Sequence, residues 1–138
     1  MILLDTSGLL AALDSAQRQH SESAASLRAA TPPRLLSPFV LAELDYLLAT
    51  RVGEAARMGL LGEVERGAYD LQAFAAADIR TSTAVIKRHA DLGISLADAS
   101  IVVLAARHKT QDVLTLDERH FRVLSANRKA FRLLPADG

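Results

Sequence analysis

The feature that most constrains this chain is a set of very short apolar runs that do not alternate with polar residues. Ile2-Leu3-Leu4, Arg34-Leu35-Leu36, Val113-Leu114-Thr115-Leu116 and Phe131-Arg132-Leu133-Leu134 are each too brief for a helix. Strands that are apolar at consecutive positions are covered on both faces, which is the signature of a parallel sheet. Between them lie helical stretches with their own start and stop signals. The spacing predicts helices over Gly8 to Leu13, His20 to Ala30, Pro38 to Val52, Glu54 to Glu65, Ala75 to Ala90, Leu96 to Arg107 and Glu118 to Leu124, and a further strand over Tyr69 to Phe74. Ser37-Pro38 is a helix start, because Ser caps free N–H groups and Pro at the first helical position sacrifices no hydrogen bond. Ser95-Leu96-Ala97-Asp98 is a capping box. The fold class is therefore α/β, a short-stranded, mostly parallel sheet flanked by helices on both faces. No internal repeat or linker divides the 138 residues, so a single domain over 1–138 is expected.

Composition narrows the chemistry. Cysteine is absent, which removes disulfides, thiolate catalysis and Cys-type zinc sites. The 16 basic and 16 acidic side chains balance, so binding of a polyanion by bulk charge is excluded and any such contact must be local. All but three of the basic residues are Arg, the side chain better suited to bidentate phosphate contact, and the stretch from Arg107 onward is net basic. No apolar run approaches the ~18 residues of a membrane span, and the start Met1-Ile2-Leu3-Leu4-Asp5 lacks the features of a signal peptide. A cytoplasmic location is expected.

Four acids stand where a fold alone would choose otherwise. Asp5 directly follows the first strand, and Asp117 follows the strand predicted to end at Leu116. In open parallel sheets, ligands bind at the carboxyl ends of strands where strand order reverses, and right-handed crossovers bring distant strand ends to one side. Asp98 lies in the first turn of its helix, whose N-terminus points to the same edge. Glu43 has Phe39, Val40, Tyr46 and Leu47 as its helical neighbours, and the reading is a carboxylate within an apolar stripe. Such a group requires a partner, since burying an unpaired charge costs several kcal/mol. A divalent cation would serve all four acids at once and keep them ionised. An all-oxygen donor set selects Mg2+ or Mn2+ over zinc or copper. Capping alone also accounts for Asp5, Asp98 and Asp117 taken singly, and the two roles are compatible.

Read together, Asp5-Thr6-Ser7 after the opening strand, Glu43 within Ser37-Pro38-Phe39-Val40-Leu41-Ala42-Glu43-Leu44, Asp98 within Ser95-Leu96-Ala97-Asp98-Ala99, and Thr115-Leu116-Asp117-Glu118-Arg119-His120-Phe121 resemble the PIN-domain family. The resemblance is closer to VapC-type toxins of type II toxin–antitoxin modules, and Ala42-Glu43-Leu44-Asp45-Tyr46-Leu47-Leu48-Ala49-Thr50-Arg51 resembles a mycobacterial branch of them. Each motif is short; the four together, in order, span the chain from Ile2 to Pro135. The resemblance implies a Mg2+ or Mn2+ dependent endoribonuclease with Asp5, Glu43, Asp98 and Asp117 as the acidic cluster. Asp5 and Asp98 would be the main metal ligands, with Glu43 and Asp117 completing the site directly or through water. A water activated at the metal would attack the RNA backbone and leave 5′-phosphate and 3′-hydroxyl ends. The RNA would be the sarcin–ricin loop of rRNA or a tRNA anticodon loop, the former favoured. A cognate VapB-type antitoxin and a homodimer are the implied partners, and the helices from Pro38 to Glu65 offer a dimer face or plain core.

Thr6, Ser7 and Thr115 supply hydroxyls that would support the acids, although Thr6 and Ser7 also read as simple caps. Arg119 is placed to touch a substrate phosphate or, equally, to pair with Glu118 or Asp45. Asp45 is turned about 200° from Glu43 around the helix and is assigned to pairing or an interface. His120 reads as packing or surface, and Phe39, Tyr46 and Phe121 read as packing rather than as base-stacking platforms. Two rival functions remain: a phosphohydrolase of the haloacid dehalogenase kind, which needs a second Asp where Ser7 stands, and a non-catalytic α/β interaction module whose acids are caps.

Overall fold

The computed structural model describes every residue from Met1 to Gly138. Five strands form one wholly parallel sheet: β1 (Ile2–Leu4), β2 (Arg34–Leu36), β3 (Asp70–Leu71), β4 (Asp112–Leu114) and, last in the chain, β7 (Arg132–Leu134), in the order β3-β2-β1-β4-β7. Ile2, Leu3 and Leu4 are all buried. Consecutive strand residues face opposite sides, so β1 must be covered on both. Helices α1 (Thr6–Leu13) and α2 (His20–Ala29) connect β1 to β2, α3 (Pro38–Arg51) and α4 (Glu54–Glu65) connect β2 to β3, and α5 (Ala76–Arg88) and α6 (Leu96–His108) lead from β3 to β4. Each crossover runs between parallel strands, as the apolar runs require.

This order puts the switch point between β1 and β4. From β1 the chain builds outward to β2 and β3, then returns past β1 to build β4 and β7 on the other side. The register pairs Leu4 with Leu114, so the residues that follow these two strands emerge side by side. Asp5 and Asp117 are thereby brought together.

Several boundaries depart from expectation. The Tyr69 to Phe74 strand reduces to Asp70–Leu71, both exposed on the sheet edge, where only one neighbour remains to pair with. Strand β4 ends at Leu114, and Thr115 has left it to face Asp5 while its backbone still donates to the Leu134 carbonyl. The helix from Glu118 is a single turn, α7 (Glu118–Phe121), followed by a small hairpin of β5 (Ser125–Ala126) and β6 (Lys129–Ala130) that periodicity did not reveal. Its two-residue turn holds Asn127 at φ 53° and Arg128 at φ 62°, as a primed turn requires, without the glycine that usually signals one.

Helix α3 explains a larger correction. Its buried positions are Val40, Leu44 and Leu48, a stripe spaced by four residues. Tyr46 is 67% exposed and Glu43 is also exposed, so Glu43 is not a charge within an apolar stripe. Ser37 caps this helix by accepting from the Phe39 N–H at 3.2 Å and meets Ser100 of α6 at 2.7 Å. Ser100 donates to the Ala97 carbonyl, so Ser37 donates to Ser100. Replacing Ser37 with Ala removes both contacts in a buried setting, and an equilibrium urea titration is expected to show a loss of about 1–2 kcal/mol.

Candidate metal centre

Asp5 occupies the position before α1, but its side chain makes no cap hydrogen bond. Its Oδ2 instead accepts from Thr115 Oγ1 at 2.6 Å and from Ser7 Oγ at 2.8 Å. Each hydroxyl uses its proton on Asp5 and its oxygen on the loop after β4: Thr115 Oγ1 accepts from the Asp117 N–H, and Ser7 Oγ from the Leu116 N–H, both at 2.9 Å. The Asp5 carboxyl thus fastens the ends of β1 and β4 together. Only 4% of the residue is exposed. Burial pushes its pKa up to about 6; the Thr115 and Ser7 hydroxyls oppose that shift and the nearby Asp98 carboxylate adds to it.

The other acids arrive from three further elements. Glu43 on α3 accepts from Thr6 Oγ1 at 2.6 Å through Oε1, which ties α3 to the start of α1. Asp98 closes the capping box of α6: its Oδ2 accepts from the Ser95 N–H at 3.1 Å and its own N–H donates to Ser95 Oγ at 3.0 Å. Asp117 caps α7, with Oδ1 accepting from the His120 N–H at 3.0 Å. Asp5, Glu43, Asp98 and Asp117 line one open cavity of about 280 Å3. The structure therefore brings together all four acids, and with them Thr6 and Ser7 in the lining and Thr115 behind Asp5.

Two expectations change in detail. The desolvated carboxylate is Asp5, whereas the sequence argument placed that cost on Glu43. Arg119 is exposed, does not line the cavity and makes no ion pair; Glu118 pairs with Arg122 and Asp45 with Arg57. Asp45 is thus a pairing residue, as its angular offset predicted.

Two residues near the acids were missed. Arg51, eight positions after Glu43 on α3, is the only Lys or Arg lining the cavity, and it makes no ion pair. His120 reads from the sequence as packing or surface, yet its Nδ1 lies 2.9 Å from Asp117 Oδ2 and 3.3 Å from Asp98 Oδ2. The available signal was its place three residues after a capping Asp, which folds the side chain back over the cap.

None of the four acids pairs with a Lys or Arg; His120 is the one basic side chain in contact with them, and it touches only Asp98 and Asp117. Glu43 Oε2 and Asp98 Oδ1 accept no hydrogen bond, Asp5 Oδ1 accepts none from a side chain, and all three remain for a ligand. Asp98, Asp117 and His120 bring potential ligand atoms within 4.8 Å of one another, and Asp5 and Glu43 face the same cavity outside that tight group. A set of free carboxylate oxygens around a cavity lined by four acids and one Arg fits a hard divalent cation.

The comparisons agree with this geometry. The chain is 42% identical over 123 residues to ribonuclease VapC26 of Mycobacterium tuberculosis, covering 89% of this chain and 91% of that protein. Its fold matches that of M. tuberculosis VapC20, described as a sarcin–ricin loop cleaving toxin, with a TM-score of 0.79 at 20% identity over 85% of this chain and 90% of the other. A weaker fold match is FitAcB from Neisseria gonorrhoeae, with a TM-score of 0.54 at 24% identity over 79% and 83% of the two chains. The PIN domain family matches residues 2–126, which take in four of the five sheet strands and all four acids, and the chain belongs to the PIN-domain family.

Proposed function

We propose that this protein is the toxin of a type II toxin–antitoxin system, an endoribonuclease that hydrolyses structured RNA with a bound Mg2+ or Mn2+. One observation carries the reading. Four carboxylates without a Lys or Arg counter-ion share a cavity at the switch point of the sheet, in a chain 42% identical to a VapC ribonuclease over most of its length. PIN nucleases are in general dependent on divalent metal, and the acidic cluster that such a metal needs is present.

Asp5, Glu43 and Asp98 would hold the cation through the oxygens that the scaffold leaves free, and Asp117 would act beside them directly or through water. When bound, the cation supplies Lewis acidity: it offsets charge on the phosphoryl oxygens and makes water acidic enough to attack near neutral pH. Thr115 and Ser7 fix Asp5, so that one carboxylate oxygen faces the fold and the other the cavity. Thr6 does the same for Glu43. Arg51 at the cavity is placed to meet an incoming phosphate, and Arg119, exposed on α7, is free for one further along the strand. The bulk neutrality of the chain agrees with such local contacts.

The RNA is read as the sarcin–ricin loop, as for VapC20, ahead of a tRNA anticodon loop. A VapB-type antitoxin would hold the enzyme inactive in the cytoplasm. Tyr46, Val52 and Met58, exposed on α3, at its end and on α4, would supply a homodimer face on this single domain. No helix is long and apolar enough to cross a membrane.

The test is inducible expression followed by mapping of new 5′-phosphate RNA ends. Growth arrest with one dominant cut site is expected for the intact chain and neither effect for Asp98→Asn. Undiminished toxicity of the substituted protein would overturn the mechanism. A separate thermal titration with Mn2+ is expected to stabilise the protein by about 2.7 kcal/mol at one hundred times the dissociation constant, and EDTA to reverse it. No shift would favour an interaction module.

A further inference from the structure

The buried imidazole of His120 takes no part in the mechanism above. We infer that His120 is a positioning residue, a strut between α6 and the loop after β4 that sets the spacing of Asp98 and Asp117; the inference rests on the proposed metal site. Three observations support it. First, His120 lies against both carboxylate oxygens of Asp117: Oδ1 accepts from its backbone N–H at 3.0 Å, and Oδ2 lies 2.9 Å from its Nδ1. Asp117 Oδ2 accepts no other contact from a donor, so His120 is its one polar neighbour. Second, the same Nδ1 lies 3.3 Å from Asp98 Oδ2, and no other side chain joins Asp98 to Asp117. Third, only 17% of the His120 side chain is exposed, and both ring nitrogens are buried without a well-directed hydrogen bond.

The physical consequence follows from charge. Two carboxylates from different segments repel each other, and each could swing away by rotation about its own side chain. A ring nitrogen set between them opposes that spread. It contacts Asp98 Oδ2, which already accepts from the Ser95 N–H, and Asp117 Oδ2, and so leaves Asp98 Oδ1 toward a ligand. His120 belongs to α7, whose next residue, Phe121, is anchored in the core, so the strut is carried by a fixed turn. Ties of this kind behind metal-binding carboxylates change affinity by about 10–100-fold when removed.

Mn2+ is the probe, with the full chain and the variants His120→Ala and His120→Asn. Asn places an amide N–H near the position of Nδ1 and controls for the loss of buried volume. Electron paramagnetic resonance titration is expected to show Mn2+ binding about 10–100-fold weaker in His120→Ala and largely restored in His120→Asn. The kcat on RNA should fall and recover in parallel while KM stays near the wild-type value. A purely structural role would lower the melting temperature of both variants and leave the Mn2+ affinity of the folded protein unchanged, which would overturn the inference. Direct nitrogen hyperfine coupling to Mn2+ in the wild type would also overturn it, by making His120 a ligand. A wild type that neither binds Mn2+ nor cuts RNA defeats the nuclease reading itself; a fully active wild type matched by His120→Ala defeats only the strut.

Discussion

Asp5→Asn is expected to abolish ribonuclease activity while making the metal-free protein more stable at neutral pH. Activity is lost because Asn offers no charge to a cation and only one oxygen, which the Thr115 and Ser7 hydroxyls already occupy. A cation contributes several kcal/mol to stabilising charge in such a reaction, so kcat should fall about a thousandfold or more. Stability moves the other way. The folded-state pKa of Asp5, about 6, lies above its ordinary value of 3.8, chiefly because the carboxyl is buried. A raised carboxyl pKa favours folding only while the group is protonated, so its contribution is complete below about pH 4 and is lost as pH rises through 6. Above that window the ionised carboxylate costs about 3 kcal/mol, which an uncharged isostere does not incur. Urea unfolding in EDTA at pH 4 and pH 7.5 reads the effect directly. The difference between wild type and variant should open as pH rises, since other titrating groups such as Asp78 and Asp137 cancel in the comparison. With saturating Mn2+ the order should reverse, because the cation relieves the same charge in the wild type. Equal stability of the two proteins at both pH values would show that Asp5 is not held desolvated.

Gly8→Ala is expected to cost about 3 kcal/mol or more, although Ala is the better helix former by about 1 kcal/mol. A Cβ on Gly8 would stand 2.3 Å from the Leu114 carbonyl oxygen and 2.7 Å from the Thr115 nitrogen. Both atoms belong to backbone, so no rotamer change can relieve the clash, and α1 must move away from β4. That movement separates Ser7 and Asp5 from Thr115 and Leu116, whose mutual hydrogen bonds align the acidic cavity. A lowered denaturation midpoint together with weaker Mn2+ binding is the expected pair of results. An Ala variant as stable as the wild type would mean that α1 and β4 pack with room to spare. Gly8 therefore acts through close approach of two backbones, and its φ is unremarkable.

The legibility of this protein varied with the physics of each element. The strands were plain because residues buried on both faces leave consecutive apolar letters, as in Ile2 to Leu4. The starts of α3 and α6 were equally plain, since Ser37 and Ser95 cap by local chemistry that needs nothing from the rest of the fold. The β5–β6 hairpin was invisible because Asn127 and Arg128 take positive φ without glycine, and its strands are only two residues each. Glu43 shows a sharper failure. Its apolar neighbours suggest a buried stripe, yet the stripe on α3 is narrow and Tyr46 faces outward. Glu43 does line the cavity with the other acids, but not for the reason its neighbours suggest.

From the sequence came the parallel α/β architecture, the identity of the four acids and the family they resemble, because burial periodicity, capping and motif order are all recorded in neighbouring letters. Only the tertiary structure decided that Asp5 is the acid stripped of solvent, that Thr115 leaves its strand to hold it, and that His120 stands between Asp98 and Asp117. The reason is that solvation and partnership depend on which distant segments close around a side chain. A helix period gives the direction in which a residue points and leaves open what it meets there.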